Sequence, residues 1–107
     1  MAEPGKFDVY QVELVLGYST DARPCIIIDV AADGSVWVGP LSSAMDLYRG
    51  PPQDFLLPEE CPGFAETGLT KTCYVIGDKF RQVPRDRLIR RRGRLTGDLA
   101  AGFQKWV

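Results

Sequence analysis

The first third of the chain alternates apolar and polar residues with the two-residue period of a β-strand. This alternation predicts a half-buried strand over residues 7–16. A β-branched apolar run over residues 25–30 predicts a second, buried strand, which a polar loop at residues 17–22 would precede. Asp33-Gly34 is typical of a tight hairpin turn, so a third strand at residues 35–38 should pair antiparallel with the second and stop at Gly39-Pro40.

The pattern is weaker in the middle of the chain, where prolines exclude long regular elements between residues 41 and 68. A short edge strand is predicted over residues 54–57. Residues 72–76 form another β-rich run, and residues 80–83 form a further short strand or turn. These segments add two or three short strands to the sheet.

Two helices are predicted near the C-terminus. Pro84 is placed to open one over residues 84–90, which Gly93 would end. Thr96 is placed to cap the second, in which Leu99, Phe103 and Trp106 share one face that should pack on the sheet. The elements together predict a mainly β (α+β) fold, a small and strongly curved antiparallel barrel with a C-terminal helix.

Length and composition are those of one globular domain covering residues 1–107. Charged residues interrupt the apolar runs, so we expect no membrane span, and the N-terminus has no signal-peptide pattern. Cys25, Cys61 and Cys73 form no Cys-x-x-Cys pair, which favours free thiols in a reducing compartment and no zinc site. We therefore expect a cytoplasmic protein.

The net charge of −1 hides a strong asymmetry. Residues 1–66 hold eleven acidic and three basic residues (−8), whereas residues 67–107 hold ten basic and three acidic residues (+7). Most of these bases lie in an arginine-rich segment at residues 79–94. Such a segment is either a solvated face or a contact for a polyanion or an acidic peptide, and the charge pattern favours neither.

Candidate chemistry is limited because the chain has no histidine, and this excludes Ser-His and Cys-His triads in their usual form. Arg23 precedes Pro24, which holds the backbone of Arg23 extended next to the buried run. A guanidinium fixed there suits phosphate or carboxylate recognition, although an ordinary surface arginine fits the same pattern. Ser42 and Ser43 supply hydroxyl groups after the third strand, or act only as turn or capping serines.

Six blocks of sequence carry a resemblance that extends over roughly residues 5–107. They are Phe7-Asp8-Val9-Tyr10, Arg23-Pro24-Cys25-Ile26-Ile27-Ile28, Val38-Gly39-Pro40-Leu41-Ser42-Ser43, Gly68-Leu69-Thr70-Lys71-Thr72-Cys73-Tyr74-Val75, Val83-Pro84-Arg85-Asp86-Arg87-Leu88 and Arg92-Gly93-Arg94-Leu95-Thr96. In this order and spacing they resemble the MazF/PemK-type toxins of bacterial toxin–antitoxin systems. The resemblance implies an SH3-like barrel with a C-terminal helix and a metal-independent endoribonuclease that cuts single-stranded RNA at short sequences, without a cofactor.

The resemblance also implies roles for individual residues. Arg23 matches the family's catalytic arginine before proline, and Ser42 matches the Thr or Ser two places after the strand-end proline. RNA cleaves when its 2′-oxygen attacks the adjacent phosphorus, so Arg23 and Ser42 could stabilise the phosphate while a carboxylate accepts the 2′ proton. The candidates for that base are Asp21 and Asp78, with Glu13 weaker, and the expected RNA-binding residues are Ser43, Lys79 and Arg81.

The implied partners are single-stranded RNA, a cognate antitoxin whose acidic tail enters the RNA groove, and a second copy in a homodimer. Phe103 and Trp106 are candidates for the dimer interface, although packing onto the chain's own barrel is an alternative for each. The loop before Arg23 is short for this family, and residues 43–68 depart from its commoner members. The alternative function is a non-catalytic SH3-like module that binds nucleic acid or protein through residues 81–94.

Overall fold

The computed structural model describes residues 4–16 and 19–107, with side chains described except at residues 15, 16 and 19–21. Within that part of the chain are seven strands and one α-helix. They are β1 (Asp8–Leu16), β2 (Ser19–Val30), β3 (Val36–Ser42), β4 (Asp54–Leu57), β5 (Cys73–Ile76), β6 (Arg81–Val83), β7 (Leu88–Arg94) and α1 (Gly97–Trp106). The predicted mainly β fold with a C-terminal helix is confirmed.

The strands form one antiparallel sheet in the order β4-β5-β3-β2-β1-β7, with β6 pairing to β3 beside β5. The ladder is not closed, because the described strands include no pairing between β4 and β7. The predicted hairpin joins β2 to β3: Gly34 has a φ of 90°, and the Ala31 N–H donates to the Ser35 carbonyl at 2.8 Å. The strands β1, β2 and β3 therefore form the centre of the sheet, and the outer strands pair with β1 and β3.

The sheet buries apolar side chains on both faces. Ile26 of β2 lies in a cluster with the helix, whereas its neighbours Cys25 and Ile27 lie in a second cluster with residues of β1 and β3. This two-sided burial explains the continuous apolar sequence of β2. Phe103 of α1 is fully buried, and its ring centroid lies 5.4 Å from that of Phe55. Phe103 therefore packs the helix onto its own sheet and offers no surface to a second copy.

Two strand boundaries differ from the prediction. β2 begins at Ser19, so the predicted polar loop is wrong for residues 19–22, while residues 17 and 18 lie outside the described part. Backbone pairing with β1, in which Val12 lies opposite Arg23, extends the strand despite its polar sequence. β3 continues through Gly39-Pro40, which lie opposite Ile26 and Cys25 of β2. On its other side, the pairing of β3 changes there from β6 to β5, so neither β5 nor β6 needs a ladder hydrogen bond from these two residues.

The predicted helix over residues 84–90 is also wrong. One 3-10 turn at Arg85–Arg87 follows Pro84, and the chain then enters β7, which pairs with β1. Long-range pairing has overridden the local helix preference of the arginines. The last helix agrees with the prediction, since it follows Thr96 and buries Leu99 and Phe103, although the Thr96 side chain makes no capping hydrogen bond.

Candidate functional site

Arg23 lies within β2 and is half-buried between two surface cavities. The larger cavity has a volume of about 370 Å³, and the smaller one about 190 Å³. The backbone of Arg23 pairs with Val12 of β1, and two residues further on, at Cys25, β2 is paired to β3 as well, so Arg23 lies where β2 enters the centre of the sheet. A guanidinium held in this way can meet a ligand without a large loss of backbone entropy.

The larger cavity brings together hydroxyl and cationic side chains from four segments. Ser42 and Ser43 reach it from the end of β3, Thr70 and Lys71 from the segment before β5, and Arg92 from β7. Together with Arg23 these give the cavity three cations, and no described carboxylate lines it. A site with this charge favours an anion that carries several oxygen acceptors.

Neutral groups hold Arg92 in the larger cavity. One of its terminal nitrogens donates to the Gln11 side-chain oxygen at 3.2 Å, and the other donates to the Gly68 carbonyl at 3.0 Å. No carboxylate among the described side chains pairs with Arg92. These bonds fix the guanidinium and leave its positive charge uncompensated.

Ser42 is also oriented by a local bond. Its hydroxyl oxygen accepts the Ala44 backbone N–H at 3.1 Å. Because a hydroxyl both accepts and donates, the Ser42 O–H can still donate into the cavity. Arg23 and Ser42, which the sequence predicted as partners, thus line one cavity, and Ser43 lines it as well.

The smaller cavity contains the other predicted cations, Lys79 and Arg81, which line it with Arg23. Its apolar wall comes from Leu14, Pro40 and Ile76.

Cys25 lies in β2, two residues after Arg23. Burial raises the pKa of its thiol to about 12, although the positive charges of Arg23 and Arg81 oppose the shift. The Cys25 thiol is therefore protonated near neutral pH and is no nucleophile. The smaller cavity can offer charge and shape, but this thiol contributes no covalent chemistry.

The predicted base Asp78 is engaged elsewhere. Its two carboxylate oxygens accept hydrogen bonds from Arg49 at 3.0 and 3.2 Å, and it lines neither cavity that contains Arg23. Hydrogen bonding from Arg49 holds the pKa of Asp78 below its usual value, which weakens it as a proton acceptor. The weaker candidate Glu13 pairs with Arg87 at 2.9 Å.

The other predicted base, Asp21, has its backbone in β2 opposite Leu14, two residues before Arg23. Its side chain lies outside the described part of the structure. The structure thus brings Arg23, Ser42, Ser43, Lys79 and Arg81 to the two adjoining cavities and leaves Asp78 apart from them.

Two cations of the larger cavity, Lys71 and Arg92, were not predicted as site residues. Both stand in blocks that carry the family resemblance, next to the glycines Gly68 and Gly93. The backbones of these two blocks lie so close together that a Cβ atom on Gly68 would be 2.2 Å from the Arg92 carbonyl oxygen. The glycines Gly68 and Gly93, each within three residues of one of these cations, were the available signal in the sequence.

The arginines of the arginine-rich segment point to several different places on the surface. Arg87 pairs with Glu13, and Arg91 lies 3.5 Å from the Asp8 carboxylate, so acids of β1 compensate part of its charge. Arg81 and Arg92 line the two cavities instead. The segment thus contributes single side chains to the candidate site, while three of its arginines, including Arg91, line a separate cavity.

Within residues 4–16 and 19–107, no three or more Cys, Asp or Glu side chains are grouped so as to hold a metal ion. In the same part of the chain, the only α-helix, Gly97–Trp106, is too short to cross a membrane.

Comparisons with known proteins agree with this fold. Residues 6–105 match the sequence profile of the PemK-like, MazF-like toxins of type II toxin–antitoxin systems. Among solved structures, the chain is similar to the Mycobacterium tuberculosis toxin MazF-mt6, with a TM-score of 0.68 and 19% identity over 92% of this chain and 90% of that one. It is also similar to an endoribonuclease from a mycobacterial species, with a TM-score of 0.68 and 21% identity over 99% and 88% of the two chains.

A third similar structure is a mycobacterial endoribonuclease in complex with its cognate antitoxin. The TM-score is 0.64 and the identity 22%, over 99% of this chain and 90% of that one. A comparison with curated protein sequences gave no significant match. At these identities the structural matches establish a shared fold.

Proposed function

Since the chain belongs to the PemK-like, MazF-like toxins of type II toxin–antitoxin systems, we propose that it is an endoribonuclease that cuts single-stranded RNA at short sequences. One observation carries the proposal: Arg23 and Ser42 line the same cavity, together with Lys71 and Arg92 and with no described carboxylate. A phosphodiester is the anion that such a set of donors suits. The endoribonucleases among the similar structures support the assignment.

In the proposed reaction the RNA supplies its own nucleophile. The 2′-oxygen loses its proton to a base and attacks the adjacent phosphorus, and the bond from phosphorus to the 5′-oxygen breaks. The leaving 5′-oxygen takes a proton from water, so the products are a 2′,3′-cyclic phosphate and a 5′-hydroxyl. Negative charge grows on the phosphate oxygens, where the Arg23 guanidinium and the Ser42 hydroxyl donate hydrogen bonds. One donor of this kind contributes a factor of about 10²–10³ in rate when it is preorganised. No step needs a metal ion.

A proton acceptor for the 2′-hydroxyl completes the mechanism. We assign this role to Asp21, which precedes Arg23 by two residues in β2. Asp78 is the less suitable candidate because Arg49 occupies both of its oxygens and lowers its pKa. Asp21→Asn should therefore reduce the cleavage rate and flatten its dependence on pH, while Asp78→Asn should leave the shape of the pH profile unchanged.

The direct test is a cleavage assay on a long single-stranded RNA in EDTA, with mapping of the 5′ ends. We expect discrete cuts with 5′-hydroxyl ends from wild type and none from Arg23→Ala. Arg90→Ala is the matched control, because Arg90 is an exposed arginine of β7 that lines neither cavity of the site. It removes the same charge and should retain cleavage.

The thermal unfolding midpoint should be nearly unchanged in both variants, since a half-buried or exposed arginine at the surface contributes little to stability. Cleavage by Arg23→Ala at the wild-type rate would contradict the proposed site. Absence of cleavage by folded wild-type protein on every RNA tried would favour the non-catalytic binding module.

We further propose two protein partners. One is a cognate antitoxin whose acidic segment covers the cationic cavity, and the other is a second copy of this chain in a homodimer. Ile89 of the edge strand β7 is 53% exposed and is a candidate for that interface, whereas the buried Phe103 is not. Sedimentation of wild type and Ile89→Lys tests the dimer: we expect a dimer that this charge weakens, and a wild-type monomer at all concentrations would contradict it.

A further inference from the structure

Arg49 connects two acidic residues from different parts of the chain. Its Nη2 lies 2.5 Å from one Asp54 oxygen, and its Nε donates to the other at 3.1 Å. Nη1 and Nη2 also donate to the two oxygens of Asp78 at 3.0 and 3.2 Å. The guanidinium is thus bidentate to both carboxylates, and we name Arg49, Asp54 and Asp78 the Arg49 clamp.

The clamp holds the turn between β5 and β6. The Gly77 N–H donates to Asp54 at 3.1 Å, and Asp78 is held by Arg49. Gly77 also packs directly on the preceding segment, since a Cβ atom there would lie 1.8 Å from the Gln53 carbonyl oxygen. Within the turn, the Lys79 N–H donates to the Ile76 carbonyl at 3.3 Å. Residues 77 and 78 are therefore fixed to the segment around Asp54 by separate contacts.

The next residue of the same turn after Asp78 is Lys79, which lines the smaller cavity beside Arg23. We propose that the Arg49 clamp positions Lys79 so that its ammonium binds an RNA phosphate adjacent to the phosphate at Arg23. Arg49 and Asp78 are then positioning residues rather than catalytic ones. This inference rests on the proposed function, because it assigns a phosphate subsite within the same RNA site.

The two halves of the clamp differ in what they contribute. The Asp54 side chain is fully buried, but the Asp78 side chain is 60% exposed. An exposed ion pair contributes little to the stability of a fold. What the Asp78 half does is restrict the turn, and a lysine on a restricted turn loses less entropy when it binds a phosphate.

The proposal predicts an effect of unusual sign. If Asp78 were only an exposed carboxylate near the site, its removal would strengthen RNA binding by reducing charge repulsion. If the clamp positions Lys79, removal of Asp78 weakens RNA binding although it makes the protein more positive. Asp46→Ala is the matched control, because Asp46 is an exposed acid of the segment that precedes Arg49.

The test measures the affinity for a single-stranded RNA with 2′-O-methyl riboses, which cannot be cut because the nucleophile is blocked. For single strands, log K falls with log salt by about 0.7 per phosphate contact, so loss of one contact weakens binding about fourfold near 0.15 M salt. We expect this loss, and a slope smaller by about 0.7, for Lys79→Gln and for Asp78→Ala. Arg49→Lys should also weaken RNA binding, since an ammonium cannot make two bidentate contacts, and its unfolding midpoint is measured as well because it loses part of the contact with Asp54.

The double variant separates positioning from a general charge effect. Because Asp78 acts through Lys79, Asp78→Ala combined with Lys79→Gln should bind no more weakly than Lys79→Gln alone. Additive losses would overturn the proposal, and so would Asp78→Ala binding as tightly as wild type or Asp46→Ala. A slower cleavage rate at unchanged affinity in Asp78→Ala would also overturn it, because that result makes Asp78 a base.

Failure of the proposed function gives a different result. Wild-type protein that neither binds nor cuts RNA overturns the proposed function and this inference together. Wild-type protein that binds and cuts RNA, with Asp78→Ala unaffected in binding, overturns this inference alone. Unfolding midpoints of Asp78→Ala and Lys79→Gln that stay well above the assay temperature establish that each affinity is that of the folded protein.

Discussion

Removal of the buried carboxylate of Asp54 should destabilise the whole domain. The Asp54 side chain is fully buried and accepts backbone N–H bonds from Arg49 at 3.0 Å and from Gly77 at 3.1 Å, in addition to the guanidinium of Arg49. Asp54→Ala leaves both backbone donors without their acceptor, at about 1–3 kcal/mol each. We expect a total loss of about 3–5 kcal/mol, most of it from these two donors, because the Arg49 side chain is partly exposed and keeps its bonds to Asp78.

This loss is large beside the ~5–15 kcal/mol by which a typical domain is stable. For a domain of about this size, 1 kcal/mol shifts the unfolding midpoint by roughly 4–8 °C, so the midpoint should fall by at least about 12 °C. Circular dichroism measures the midpoint at neutral pH, with urea unfolding as a second probe. Fluorescence and circular dichroism curves that coincide establish two-state unfolding for each variant.

Asp78→Ala provides a control with the same chemical change on the same arginine. Its carboxylate is exposed, so its loss should move the midpoint by only a few degrees. The two variants then differ in the burial of the carboxylate and in the two backbone N–H groups that only Asp54 accepts. If Asp54→Ala were to unfold at the same temperature as Asp78→Ala, the reasoning from burial and unsatisfied N–H groups would be wrong.

Three further predictions use the same structure. The bonds from Arg49 and Gly77 lower the pKa of Asp54 from 3.8 to about 2. The stabilisation that the ionised carboxylate contributes is therefore complete above about pH 5 and is lost as the pH falls towards 2. Acid unfolding followed by circular dichroism should be less steep in Asp54→Asn. Phe103→Ala should cost about 3–5 kcal/mol in urea unfolding, and a loss under 1 kcal/mol would contradict its burial. Cys25, with its pKa raised to about 12, should resist iodoacetamide at pH 8 in the native protein and react once unfolded, as mass spectrometry would detect.

The strands that the sequence predicted correctly are those whose pattern is local. The apolar run at residues 25–30 and the Asp33-Gly34 turn specify β2, β3 and their hairpin without help from the rest of the chain. The apolar face of α1 is specified in the same way. The spacing of apolar residues predicts such elements because every second residue of a strand, or every third to fourth residue of a helix, faces the core.

The prediction failed where a distant strand decides the structure. Residues 88–94 have no apolar alternation, and they become β7 because their backbone pairs with β1, about eighty positions away in sequence. Pairing with β1 likewise extends β2 back to Ser19. Neither pairing leaves a local pattern in these polar segments.

The candidate site was predicted in part for the same reason. Arg23 and Ser42 lie in adjacent paired strands, and the family resemblance identified both. Arg92 reaches their cavity through the distant β1–β7 pairing and its bond to the Gly68 carbonyl. Asp78 was predicted as a base, but Arg49, 29 positions earlier in the chain, occupies its carboxylate. No sequence pattern predicts that Arg49 and Asp78, so far apart in the chain, form an ion pair.

The end of α1 also contacts the segment beside the Arg49 clamp. The Trp106 indole N–H donates to the Pro52 carbonyl at 2.8 Å, and its ring centroid lies 5.6 Å from that of Phe55. The chain has two tryptophans, and the other, Trp37, is 41% exposed on β3. In a Trp37→Phe protein, the emission of Trp106 alone would report whether this segment is docked. Trp106 is thus an intrinsic fluorescent probe of the contact between α1 and the segment beside the Arg49 clamp. Stopped-flow fluorescence could record the formation of this contact without a chemical label.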